Sequence, residues 1–184
     1  MPSFGSARGD LLYLIVCAAP PANHIVDSIA GLHEVGWEVC AVTTPAAIAW
    51  TDTERLQAAT GHPVRTVFRS PDEPEFQPRG DAVLVAPATF NTINSCAAGI
   101  NDTLALGLIN EALGNGSVPI ALVPWVNTAL SDHPAYRPNL ARLRAAGAHV
   151  VEAETDDPTS FDRACRSAAS WLAAAAGGIG RTAI

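Results

Sequence analysis

The chain has 184 residues, 48% of them hydrophobic and 16% charged, enough for one well-cored globular domain. A formal charge of −7, from 11 basic and 18 acidic side chains, argues against nucleic acid and anionic membrane as primary partners. All the basic residues are Arg, so a lysine Schiff base and a Walker-type phosphate lysine are excluded.

The first apolar run, LLYLIVC (11–17), imitates a secretory signal, but a single Arg8 precedes it and Asp10 abuts it, which predicts a buried first strand instead. Further short runs follow at 38–43, 64–68, 82–87, 118–124 and 149–153. None alternates strictly between apolar and polar, so the six predict strands covered on both faces, as in a parallel sheet. Helix-length segments lie between and after them, at 21–35, 45–60, 91–114, 134–147 and 158–176. This alternation is the signature of a doubly wound α/β domain.

Punctuation supports the assignment. Pro134 is expected to open a helix that Gly147 closes, and Asp157 with Pro158 to open the last helix, with Gly177 and Gly178 closing it. The middle helical segment should break near Gly99, with Asn101 or Asp102 capping its second half. Residues 69–81 carry three prolines and read as a surface loop, and 1–9 and 179–184 as frayed ends of a single domain, 1–184, with its core in 11–176. No apolar run reaches the roughly 18 residues of a membrane span. Cys17, Cys40, Cys96 and Cys165 are widely spaced, without C-x-x-C and without His at ligand spacing. They predict buried thiols in the cytoplasm and no metal site.

Ligands of an open α/β sheet bind beyond the carboxyl ends of its strands. That rule selects CAAPPANH, TTPAAIAW, PATFNT and PWVNTALSDHP. The first turn lacks G-x-G-x-x-G, which removes the main support for a dinucleotide. Thr89, Asn91, Thr92 and Asn94 crowd one strand end, as either turn and cap residues or the polar wall of a site.

APATFNTINSCAAGINDTL resembles the Pro-Ala-Ser-Ala-Asn-Thr motif and following helices of the homo-oligomeric flavin-containing cysteine decarboxylases. That family includes phosphopantothenoylcysteine decarboxylase and the peptidyl-cysteine decarboxylases of lantibiotic biosynthesis. PWVNTALSDHPAYRPNLARLRAAGAHVV is similar to the family's second motif, and order and spacing agree from about residue 11 to 176. The resemblance implies a Rossmann-like, flavodoxin-like three-layer αβα fold that binds FMN and assembles as a homotrimer or dodecamer. It also implies oxidative decarboxylation of a small or peptidyl cysteine-type thiol-carboxylate. Carried over by position, Ala88, Thr89, Asn91 and Thr92 lie against the flavin, Thr44 approaches it, Trp50 takes a Phe position, and Asn127 holds the substrate carboxylate.

The sequence also departs from the family. Ala18, Ala19 and Pro20 stand where the cofactor phosphate meets a Gly-Ser loop, and Pro20 with Pro21 removes two N–H donors. Asn23, Thr44 or His24 would have to serve instead. Glu73 occupies the place of the family's catalytic His, and an ionised carboxylate cannot alternate between acid and base. His133, oriented by Asp132, is a substitute base or else a solvated helix-entry residue. A chain that keeps the fold without turnover, as a non-catalytic FMN-binding or regulatory subunit, is therefore the alternative. After the sixth run EAETDDPTSFD enters a helix without the Cys-bearing flap of the pantothenate-pathway enzymes, which argues against coenzyme A biosynthesis and fits a peptide-modifying or orphan flavoprotein better. Flavin prenyltransferase-like and dipicolinate-synthase-like relatives share the fold, but they need phosphate-binding basic residues for which no candidate is found.

Overall fold

A computed structural model describes residues 11–70, 72, 80–155 and 157–179. Among these, five strands form one all-parallel sheet: β1 (Leu11–Val16), β2 (Glu38–Thr43), β3 (Ala82–Ala88), β4 (Ile120–Pro124) and β5 (His149–Val150), in the order β2-β1-β3-β4-β5. The helices are α1 (Ile25–Glu34), α2 (Thr53–Thr60), α3 (Phe90–Ala97), α4 (Leu104–Asn115), α5 (Thr128–Ser131), α6 (Tyr136–Ala145) and α7 (Pro158–Ile179). No helix among the described residues is long and apolar enough to cross a membrane.

Every residue of β1, β3 and β4 is buried because helices cover both faces. Side chains alternate with the pleat: Leu11, Tyr13 and Ile15 pack with Ile93, Leu108 and Leu140 of α3, α4 and α6. Leu12, Leu14 and Val16 pack with Ile29, Leu56 and Phe161 of α1, α2 and α7. Burying each large aliphatic side chain contributes about 1.5–3 kcal/mol, so the two apolar layers fix the three-layer αβα arrangement. Where β3 meets Tyr13 the packing leaves no room for a Cβ on Gly80, which would overlap the Tyr13 ring edge.

The expected fold class stands, with local corrections. Residues 64–68 form no sixth strand: a single bridge joins Val42 to Arg65, after which Val67 is left exposed and Phe68 crosses to Gly107 of α4. The helices expected over 21–35 and 45–60 begin as 3-10 turns, Pro20–His24 and Pro45–Trp50, and Asp52 starts α2 afresh by accepting from the Arg55 N–H. Thr103 caps α4 through a hydrogen bond from the Leu106 N–H, displacing Asn101 and Asp102 from that role. Pro134 does not open α6, which starts at Tyr136 after the short α5, and α7 runs past Gly177 and Gly178 to Ile179.

Strand β1 pairs with β2 on one side and β3 on the other. Connections therefore diverge around its carboxyl end, and a crevice opens there.

Candidate functional site

That crevice is a cavity of about 1070 Å³ whose walls come from the segments after β1, β2, β3 and β4. Two backbone hydrogen bonds hold the segments together: the Thr44 N–H donates to the Val16 carbonyl at 2.9 Å, and the Trp125 N–H to the Ala88 carbonyl at 2.9 Å. The second places the two motifs quoted above side by side.

The Thr- and Asn-rich corner divides its labour. Thr89 is the N-cap of α3, its hydroxyl accepting from the Thr92 N–H at 3.4 Å. Asn94 turns away from the cavity: its amide donates to the Phe90 carbonyl, and its carbonyl accepts from Asn139 of α6 at 2.7 Å. Asn91 lines the cavity, exposed, and among the described residues its amide makes no hydrogen bond. The Thr92 hydroxyl donates to the Cys17 thiol at 3.3 Å and lies 3.1 Å from the Thr89 hydroxyl. Either hydroxyl can be the donor in the second contact, and both belong to the group of bonds around the Cys17 thiol. Both threonines line the cavity, where a hydroxyl can accept from a ligand N–H or donate to a ligand oxygen. Cys17 itself is fully enclosed. Burial pushes its thiol pKa up, partly offset by the bonds from Thr92 and Thr89, so it serves as an acceptor and not as a thiolate nucleophile.

On the neighbouring segment after β4, Asn127 caps α5, its side-chain oxygen accepting from the Leu130 N–H at 2.9 Å. The cap fixes which end of the amide is engaged, and the NH₂ remains for a ligand. Trp50, Phe90 and Trp125 supply aromatic surface, with Ile100 and Leu130 at the rim.

Of the residues singled out in the sequence, Ala18, Ala19, Pro20, Thr44, Trp50, Thr89, Asn91, Thr92 and Asn127 line the cavity together. Ala88 is fully buried behind the wall. His133 is absent from the lining: its Nδ1 accepts from the Ala135 N–H at 3.1 Å and its ring stands edge-on to Phe90, centroids 5.3 Å apart. His24 is also outside the lining, and Glu73 lies outside the described residues. Sequence reasoning missed Ser95, Asp102, Thr103, Trp125 and Thr155 as wall residues. The Asp-Thr pair before α4 was the available signal for Asp102, since a threonine that caps frees the preceding aspartate. Among the described residues the lining contains one ionisable side chain, Asp102.

A second cleft, about 560 Å³, shares Val126, Thr128 and Thr155 with the cavity and continues along α6 to Arg137, Arg144, Glu152 and Glu154. Arg144 pairs there with Glu152 at 2.8 Å.

A profile of the family described as Flavoprotein matches residues 6–175. The chain is 32% identical over 146 residues to the coenzyme A biosynthesis bifunctional protein CoaBC of Thermococcus kodakarensis, which covers 75% of the chain and 36% of that relative. The chain thus spans about a third of the length of such relatives. Among solved structures it is similar to the FMN-dependent cysteine decarboxylase SpaF, with 26% identity and a TM-score of 0.71 over 89% of this chain and 98% of that one. The FMN-dependent cysteine decarboxylase TvaF from thioviridamide biosynthesis is 28% identical, with a TM-score of 0.61, covering 86% and 98%.

Proposed function

The chain belongs to the Flavoprotein family, and on that premise we propose that it binds FMN in the cavity and oxidatively decarboxylates a peptidyl or small cysteine-type thiol-carboxylate. The observation that carries this reading is the cavity itself, which brings the hydroxyls of Thr89 and Thr92 and the amide of Asn91 together with the amide of Asn127. A planar ring with polar atoms along one edge fits such walls, with Trp50, Phe90 and Trp125 against its apolar parts.

When bound, FMN supplies a two-electron acceptor for oxidation of the thiol-bearing carbon to a thioaldehyde, from which carbon dioxide departs to leave an enethiol. The chain's own residues bind and orient. Thr89 and Thr92 accept from ligand N–H groups. Asn91 and Thr44, whose side chains make no hydrogen bond among the described residues, complete the polar edge. Asn127 donates its NH₂ to the substrate carboxylate and holds it against the ring. The adjoining cleft extends from Thr128 and Thr155 and gives room for residues upstream of a C-terminal cysteine. The sequence from Val151 to Asp157 carries no cysteine, which favours a peptide over a pantothenoyl substrate. Exposure of Trp50, Ile100 and Leu130 at the rim, at 39%, 46% and 38%, supports a homotrimer or dodecamer that closes the cavity.

A second reading, a non-catalytic FMN-binding subunit, is favoured by one observation: the described lining offers no histidine, and Asp102 is its one ionisable group. Purified protein is titrated with FMN, and the complex is then mixed anaerobically with a peptide ending in cysteine. Bleaching of the flavin band with release of carbon dioxide supports the decarboxylase. Bound flavin that stays oxidised supports the subunit, and no spectral change on adding FMN overturns both.

A further inference from the structure

Charge is the unusual property of this cavity. FMN differs from riboflavin by a phosphate that carries about −1.5 to −2 charges at neutral pH, and such a group is ordinarily met by Arg, Lys or open backbone N–H groups. The described lining contains no Arg, Lys or His, and its one ionisable side chain is the carboxylate of Asp102.

The backbone offers little in compensation. The 3-10 turns after β1 and β2 both begin with proline, at Pro20 and Pro45, and Pro21 removes another donor. Of the N–H groups that follow, Ala22 donates to the Ala19 carbonyl at 2.8 Å and Ala47 to the Thr44 carbonyl at 2.9 Å, which leaves the Ala46 N–H as a neutral donor at the wall. Thr89, Thr103 and Asn127 use their own side chains to take a donor from the first turns of α3, α4 and α5. At α4 the residue before the cap is Asp102, so a carboxylate already stands where the helix dipole favours an anion. The arginines of the neighbouring cleft lie beyond Val126, Thr128 and Thr155, and Arg144 is paired with Glu152.

The polar side chains that remain, Thr44, Asn91, Ser95 and Asn127, are neutral and match the ring edge and hydroxylated chain that FMN and riboflavin share. We propose that the cavity recognises a flavin through its ring and ribityl chain and not through its phosphate, so that it takes riboflavin as readily as FMN. The inference rests on the flavin reading above and narrows it to a ligand class.

The test is a pair of titrations followed by quenching of flavin fluorescence, one with riboflavin and one with FMN, on the full chain at low and high salt. The proposal expects dissociation constants within about threefold of each other, or riboflavin tighter, because no charge-assisted hydrogen bond separates the two ligands. It also expects FMN binding to hold or strengthen as salt screens Asp102. The variant Asp102→Asn should tighten FMN by about threefold and leave riboflavin unchanged, since it removes only the repulsion between charges. FMN tighter than riboflavin by about tenfold or more, with affinity falling as salt rises, overturns the proposal and points to a cation supplied from outside the described lining. If neither flavin binds, the flavin reading falls and this inference falls with it.

Discussion

The Thr92 hydroxyl donates to the Cys17 thiol at 3.3 Å, joining the end of β1 to the first turn of α3 behind the cavity wall. Remove the acceptor and the proton must turn elsewhere. We predict that Cys17→Ala, which leaves that buried donor unpaired, costs about 1–3 kcal/mol in urea denaturation. It should also weaken flavin binding, because the Thr92 hydroxyl at the cavity wall loses the partner that holds it in place. Cys17→Ser keeps an acceptor and should recover most of both losses. Equal flavin affinity in wild type and Cys17→Ala would show that this bond does not shape the wall.

All four cysteines are buried and free, and burial raises each thiol above its ordinary 9.0, Cys40 and Cys96 to about 12. A thiol that ionises later in the folded than in the unfolded state stabilises the fold fully below the unfolded pKa. That contribution is lost as pH climbs from 9.0 towards about 12. Each thiol steepens the loss by at most about 1.4 kcal/mol per pH unit. Thermal unfolding from pH 8 to 10.5 should show a midpoint that falls increasingly above pH 9, and Cys40→Ala should flatten the fall. A midpoint unaffected by that variant would contradict the assignment.

Much of this was legible because parallel strands buried on both faces announce themselves as unbroken apolar runs. LLYLIV, AVLVAPA and IALVP needed no partner to be recognised, and the rule that ligands gather at strand carboxyl ends then selected four loops that do meet at one cavity. Residues 64–68 show the limit. Their composition suits a strand, but a strand needs a neighbour along its length, and Phe68 finds its packing on Gly107 instead. Asp102 shows another limit, since either member of an Asp-Thr pair can cap a helix and only geometry shows that Thr103 does so. Trp125 lies within one of those selected loops, whereas Thr155 reaches the wall through tertiary placement and carries no local signal.

Asn94 and Asn139 bond side chain to side chain at 2.7 Å, and Arg142 donates to the Ala97 carbonyl at 3.1 Å, so α6 holds both the middle and the end of α3. A double-mutant cycle with Asn94→Ala and Asn139→Ala should give a coupling energy of about 0.5–1.5 kcal/mol, since each single change already removes the shared bond. Strict additivity would show that the pair contributes nothing to the attachment.

Gly80 has no alternative while Tyr13 keeps its place, because a Cβ would run into the Tyr13 ring. Tyr13 is fully buried in β1 and cannot swing into solvent. Gly80→Ala should therefore destabilise by about 1–3 kcal/mol, the usual cost of overpacking a core. The urea midpoint measures it, and a midpoint equal to wild type would mean that the start of β3 shifts freely.

Asn127 carries two tasks on one amide, and substitution can separate them. Its oxygen accepts from the Leu130 N–H, and its NH₂ is the group proposed to meet the substrate carboxylate. Asp is as good an N-cap as Asn, so Asn127→Asp should change stability by no more than about 0.5 kcal/mol, whereas Asn127→Ala should cost about 1 kcal/mol. The order reverses for the substrate. Aspartate presents a second acceptor and a negative charge to a carboxylate, so a cysteine-ended peptide should bind Asn127→Asp more weakly than Asn127→Ala, by about tenfold or more. A C-terminally amidated peptide has no carboxylate to repel and should discriminate little between the two variants. If the free and amidated peptides rank the variants alike, Asn127 is a helix cap and nothing more.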